Sequence, residues 1–115
     1  MSNYLFLIRG GDENWDKQSP EEVQKSMQKW GAWMGGLKEK GQLIDGLPLG
    51  KDGRVVEKAG DIITNGPYAE GSELVGGYLI INSDSLDQAV EISKGCPIFD
   101  HDGLVEVREI MSMEM

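Results

Sequence analysis

The chain has 115 residues, enough for one domain and too few for two, and its 39% apolar and 27% charged residues exclude a disordered polymer. Eleven Lys and Arg against 20 Asp and Glu leave a formal charge of −9, which argues against nucleic acid or an anionic membrane as partner, since Lys and Arg chiefly hold both. The single cysteine, Cys96, excludes an intrachain disulfide and a thiolate metal cluster, and suits a reducing compartment.

Taken in chain order, Tyr4 to Ile8 is a short apolar run with aromatic and β-branched members, and predicts a strand. A loop follows at Arg9-Gly10-Gly11-Asp12. Ser19-Pro20-Glu21-Glu22 then reads as a helix start, with Ser19 as cap, Pro20 at the first helical position and Glu22 completing a capping box. Val23, Met27, Trp30, Met34 and Leu37 step by four, three, four and three, which draws one apolar stripe ending before Gly41. Gly31, Gly35 and Gly36 are unfavourable inside a helix, so a kink or close packing on a sheet is expected there. Trp30 falls on the core stripe; Trp33, one position off it, is expected in the core or bordering a pocket or subunit contact.

Leu43 to Leu49 predicts a strand, and Asp52-Gly53 predicts a hairpin joining it to Arg54-Val55-Val56. Ile62-Ile63-Thr64 is a short strand, and Asn65-Gly66-Pro67 a turn running on through Tyr68-Ala69-Glu70-Gly71. Leu74 to Ile81 is the strongest strand in the chain. Ser85-Leu86-Asp87-Gln88 opens a second helix, with Leu86, Ala89, Val90 and Ser93 on one side, closing at Lys94-Gly95-Cys96-Pro97. Leu104 to Ile110 is the last strand.

Two strand–helix–strand units therefore stand in one domain spanning 1–115. Right-handed crossovers place both helices on one face of an antiparallel sheet, the α+β ferredoxin-like βαββαβ sandwich. Leu74 to Ile81 and Tyr4 to Ile8 are apolar toward both faces, yet two helices can cover only one. A bare apolar face predicts a homodimer through the helix-free side. No apolar run approaches the ~20 residues of a membrane span, and the start lacks a basic leader, so the expected location is cytoplasmic.

Signatures of phosphate-binding loops, nucleophile elbows and metal-spaced Cys/His sets are absent from the sequence, so no cofactor is expected. His101 and Cys96 lie five apart around a helix end, a spacing better suited to a buried thiol and a solvated histidine than to a nucleophile–base pair. The segment Thr64 to Gly71 carries one phenol and one carboxylate among small residues, and leads into the paired glycines Gly76-Gly77, which in a strand often mark close approach by backbone or ligand. Asn65, Tyr68 and Glu70 are therefore candidate ligand-binding residues. Arg9, at the end of the first strand, is a candidate to neutralise an anionic group.

Thr64-Asn65-Gly66-Pro67-Tyr68-Ala69-Glu70 resembles the signature of the YCII-related family in its DGPF branch, T-D-G-P-F/Y-A-E. The resemblance extends to Gly41-Gln42-Leu43, Val75-Gly76-Gly77-Tyr78, Ser85-Leu86-Asp87, Lys94-Gly95-Cys96-Pro97 and Val105-Glu106-Val107-Arg108. It implies a dimeric α/β barrel of ferredoxin-like subunits with a pocket between sheet and helices. Related members carry a His–Asp pair proposed for acid–base chemistry, and DGPF members are often encoded beside extracytoplasmic-function sigma factors. Here the motif's aspartate is Asn65, and an amide cannot serve as a general base. Two readings follow. One is a dimer that binds a small molecule near the Thr64–Glu70 turn, with weak acid–base activity; the other is a non-catalytic interaction module linked to a sigma factor.

Overall fold

The computed structural model describes residues 1–10, 18–50, 52–66 and 74–112. The elements run β1 (Ser2–Arg9), α1 (Pro20–Glu39), β2 (Leu43–Pro48), β3 (Arg54–Glu57), β4 (Ile62–Asn65), β5 (Val75–Ser83), α2 (Leu86–Ser93) and β6 (Leu104–Ile110). The main sheet has the order β2-β5-β1-β6 and every pairing in it is antiparallel. With β3 and β4 set aside as a separate ribbon, this is the ferredoxin-like βαββαβ sandwich.

Both helix starts form for the reason read from the sequence. Ser19 Oγ accepts the Glu22 N–H at 3.2 Å, and Ser85 Oγ accepts that of Gln88 at 3.1 Å. Gln88 differs from a standard capping box. Its Oε1 takes the Asp84 N–H and the buried Ser83 hydroxyl, each at 2.7 Å, and so locks the end of β5 to α2.

Alternation along the central strands sets the core. Tyr4, Phe6 and Ile8 of β1 face the helices and stand opposite Ile81, Leu79 and Gly77 of β5. Phe6 and Ile81 are fully buried, with Leu37, Ala89 and Cys96 closing over them from the helical layer. The other face carries Leu5, Leu7, Tyr78 and Ile80, all half-buried, because no helix covers them.

Three expectations are corrected. Asp52-Gly53 is not a hairpin between β2 and β3. β2 pairs with β5, whereas β3 pairs with β4 through a tip at Lys58–Gly60. Long-range pairing with the most apolar strand outweighs a local turn preference. The glycines of α1 also have no close neighbour: a Cβ built on Gly31, Gly35 or Gly36 meets nothing within 4 Å, so packing does not require them. On α2 the buried residues are Ala89 and Ser93, with Ile92 against the core, while Leu86 and Val90 are exposed. Small residues, not the larger aliphatics, let this short helix approach the sheet.

Candidate functional site

α1 presses Leu37 into the core, and between its Met27–Met34 stretch and the sheet lies a cavity of about 460 Å³. Met27, Trp30 and Met34 form its helical wall, Ile8, Gly77 and Leu79 its sheet floor. The rim is Leu47 to Gly50, which follows β5 because the Leu49 N–H reaches Gly76 O at 2.9 Å. A side chain on Gly77, which faces the helices, would narrow this space, which accounts for a glycine at that position of an otherwise apolar strand. At 460 Å³ the cavity falls within the range of small-molecule sites. A second recess, between α1 and α2 around Trp33, is more open and bordered by Lys40 and Glu91. Trp33 leaves no space beside Gly95, where a Cβ would lie 2.9 Å from its Nε1. Its ring stands edge-on to that of Trp30, with centroids 5.9 Å apart.

One end of the cavity is polar. The single-turn helix Pro97–His101 brings Ile98 and His101 to the wall. Gln18 Nε2 donates to His101 Nδ1 at 2.8 Å, and Ser26 Oγ lies 3.1 Å from His101 Nε2. Both contacts are satisfied together when the ring proton sits on Nε2 and is donated to Ser26. Ser26 is itself buried in α1. Lys29 Nζ donates to Asp100 Oδ2 at 2.9 Å and fastens the same turn to α1 from outside. That bond, with the lysine's charge, holds the Asp100 carboxyl below its ordinary range. Gln18 Oε1 is buried and has no hydrogen-bond partner.

His101 is therefore not the solvated histidine expected from its place in a polar turn. It is half-buried and held from α1 across 75 residues of sequence. No local pattern marks it, because the spacing from Ser26 to His101 has meaning only once the turn docks on the helix.

The residues singled out from the sequence are distributed differently. Arg9 stands on the helix-free face, where its Nη2 lies 3.1 Å from Glu106 Oε1 and its Nε donates to the same oxygen at 3.2 Å. Asn65 ends β4, exposed, opposite Arg54. Neither lines the cavity among its described residues. Tyr68 and Glu70 lie outside the described residues. The flanking described residues are Gly66, whose N–H closes the base of the β3–β4 ribbon on Gly53 O, and Leu74, which lines the cavity.

The YCII-related domain model matches residues 3–114, almost the whole chain. The protein belongs to the YCII-related family. No curated protein matches this YCII-related chain significantly. Among solved structures, it is similar to 5-chloro-2-hydroxyhydroquinone dehydrochlorinase (TftG) from Burkholderia phenoliruptrix AC1100, in complex with 2,5-dihydroxybenzoquinone, at 16% identity over 90% of each chain and a TM-score of 0.46. At that score the likeness lends nothing to function. Among the described residues of this YCII-related domain no cluster of three or more His, Cys, Asp or Glu could hold a metal. No described helix is long and apolar enough to cross a membrane.

Proposed function

We propose that this YCII-related protein binds a small molecule in the cavity between α1 and the sheet, and that it does so as a homodimer. The observation that carries the binding reading is the cavity itself: about 460 Å³, walled by Met27, Trp30, Met34 and Leu79, with a hydrogen-bonded histidine at one end. An apolar body with a few convergent polar groups is the usual anatomy of a ligand site. Among the described lining residues, His101 is the group suited to proton transfer, since an imidazole can take and return a proton. The dimer reading is supported by the helix-free face, where Leu5, Leu7, Tyr78 and Ile80 form a half-buried apolar strip across β1 and β5.

A thermal-shift screen of metabolites against the wild type and Gly77→Leu tests the cavity. Leucine at 77 points to the helical side and fills the floor, its Cβ 3.4 Å from Leu47 O in ordinary contact, on a strand that already favours aliphatic residues. The expected result is a compound that raises the Tm of the wild type and leaves that of Gly77→Leu unchanged. Compounds that shift both proteins alike, or a screen in which none shifts the wild type, would overturn the reading.

A further inference from the structure

The strand registers lay out the charges of the helix-free face in a definite order. Asp45 of β2 stands opposite Ile80 of β5, Ile80 opposite Leu5 of β1, and Leu5 opposite Arg108 of β6. Residues in register share a face, so one row across all four strands runs acid, aliphatic, aliphatic, base. Asp45 is on the helix-free side because its neighbour Gly46 is turned toward the buried Leu79 side chain. Both ends of the row, Asp45 and Arg108, are exposed. Three strand spacings, about 14 Å, keep them apart within one chain. The Asp45 carboxylate accepts the Gly46 N–H at 2.8 Å, and among the described residues Arg108 has no ion-pair partner. The strand residues of this face hold two acids and two bases, Asp45, Glu106, Arg9 and Arg108, so the face is neutral on a chain of charge −9. A second copy of so acidic a chain meets the least repulsion there.

The order of the row also selects how that copy lies. A two-fold axis parallel to the strands, midway between two stacked sheets, reverses the row of the partner. Asp45 then faces the partner's Arg108, Ile80 faces the partner's Leu5, and each contact is made twice. Stacked sheets stand about 10 Å apart, a gap that one arginine and one aspartate side chain span together. An axis across the strands would instead set Asp45 on the partner's Asp45 and Arg108 on the partner's Arg108, where like charges repel.

We infer that the helix-free face docks on a second copy of this chain about a two-fold axis parallel to its strands, with reciprocal Asp45–Arg108 ion pairs at the two edges. This rests on the reading of the protein as a homodimer. Asp45→Arg and Arg108→Asp test it, because each turns both attractive pairs into repulsive ones and neither touches the core. Sedimentation velocity over a concentration series is expected to show each variant alone dimerising at least about tenfold more weakly than the wild type. Mixed in equal amounts, the two variants should recover the wild-type affinity, since the mixed dimer again sets a base against an acid at both edges.

If either variant alone dimerises as tightly as the wild type, Asp45 and Arg108 do not meet across the axis and the arrangement is wrong. If both are weakened and their mixture stays weak, the loss is not one of charge pairing, and the arrangement is again overturned. A wild type that stays monomeric throughout removes the homodimer reading, and the inference falls with it.

Discussion

Cys96 shows how burial governs a single side chain. It is 3% exposed, and desolvation pushes its thiol from 9.0 up to about 11. A pKa raised on folding favours the neutral form in the native state. The stabilisation is complete below about pH 9 and is lost as pH rises through 11. Tyr4 adds to the same alkaline decline, because burial and the carboxylate of Glu109, to which its hydroxyl donates at 3.3 Å, raise its phenol as well. Denaturant unfolding at pH 8 and pH 10.5 should show a loss of stability that Cys96→Ala reduces by up to about 2 kcal/mol. An identical loss in wild type and variant would contradict this. Burial and the raised thiol pKa both agree with its reading from sequence as a buried structural thiol.

At the scale of elements, glycines separate into two kinds that look alike in sequence. Gly103 precedes β6, where a Cβ would overlap Ile98 Cγ1 and lie 2.8 Å from Arg9 O. Gly46 is similar: next to the bulge of β2, its backbone sits against β5, and a Cβ would be 2.8 Å from Tyr78 O. The α1 glycines meet nothing. Gly103→Ala should therefore cost about 2 to 4 kcal/mol, in the range of other overpacked or strained sites. Gly31→Ala and Gly35→Ala should each stabilise the protein by roughly 0.5 to 1 kcal/mol, the helix propensity difference. Thermal melts of the three variants decide it. If the α1 variants are destabilised instead, that side of the helix is packed against something the single chain does not contain. The β3–β4 ribbon makes the complementary point. Its tip places Lys58 and Ala59 at φ of 51° and 55°, a left-handed conformation that non-glycine residues adopt at a cost, so turn chemistry alone would not have located it.

At the scale of the molecule, the described chain is flat, with principal extents of 49, 45 and 18 Å. One helical layer lies on one sheet, and the ribbon carries exposed Val56 and Ile63 opposite each other. Such a shape leaves apolar surface without a layer to cover it, and a two-stranded ribbon is marginal on its own. The expected outcome of light scattering at micromolar concentration is a dimeric mass. Leu7→Asp, in the middle of the helix-free strip, should shift it to the monomer while the far-ultraviolet circular dichroism is kept. A monomeric wild type would defeat the homodimer.

What the sequence determined by itself was the order and kind of the elements, and through them the fold. The capping serines Ser19 and Ser85, the four-three stripe of α1 and the doubly apolar run of β5 are local or periodic signals, set by spacing along the chain. Composition likewise settled the absence of a disulfide framework. Tertiary structure alone decided which strand β2 would pair with, which glycines are required, and where the polar end of the cavity lies. Each of those depends on contacts between residues far apart in the chain: β2 with β5, Gly103 with Ile98 and Arg9, and His101 with Gln18 and Ser26. Local preferences are worth about a kilocalorie per residue, and they yield wherever burying a strand or docking a turn contributes more.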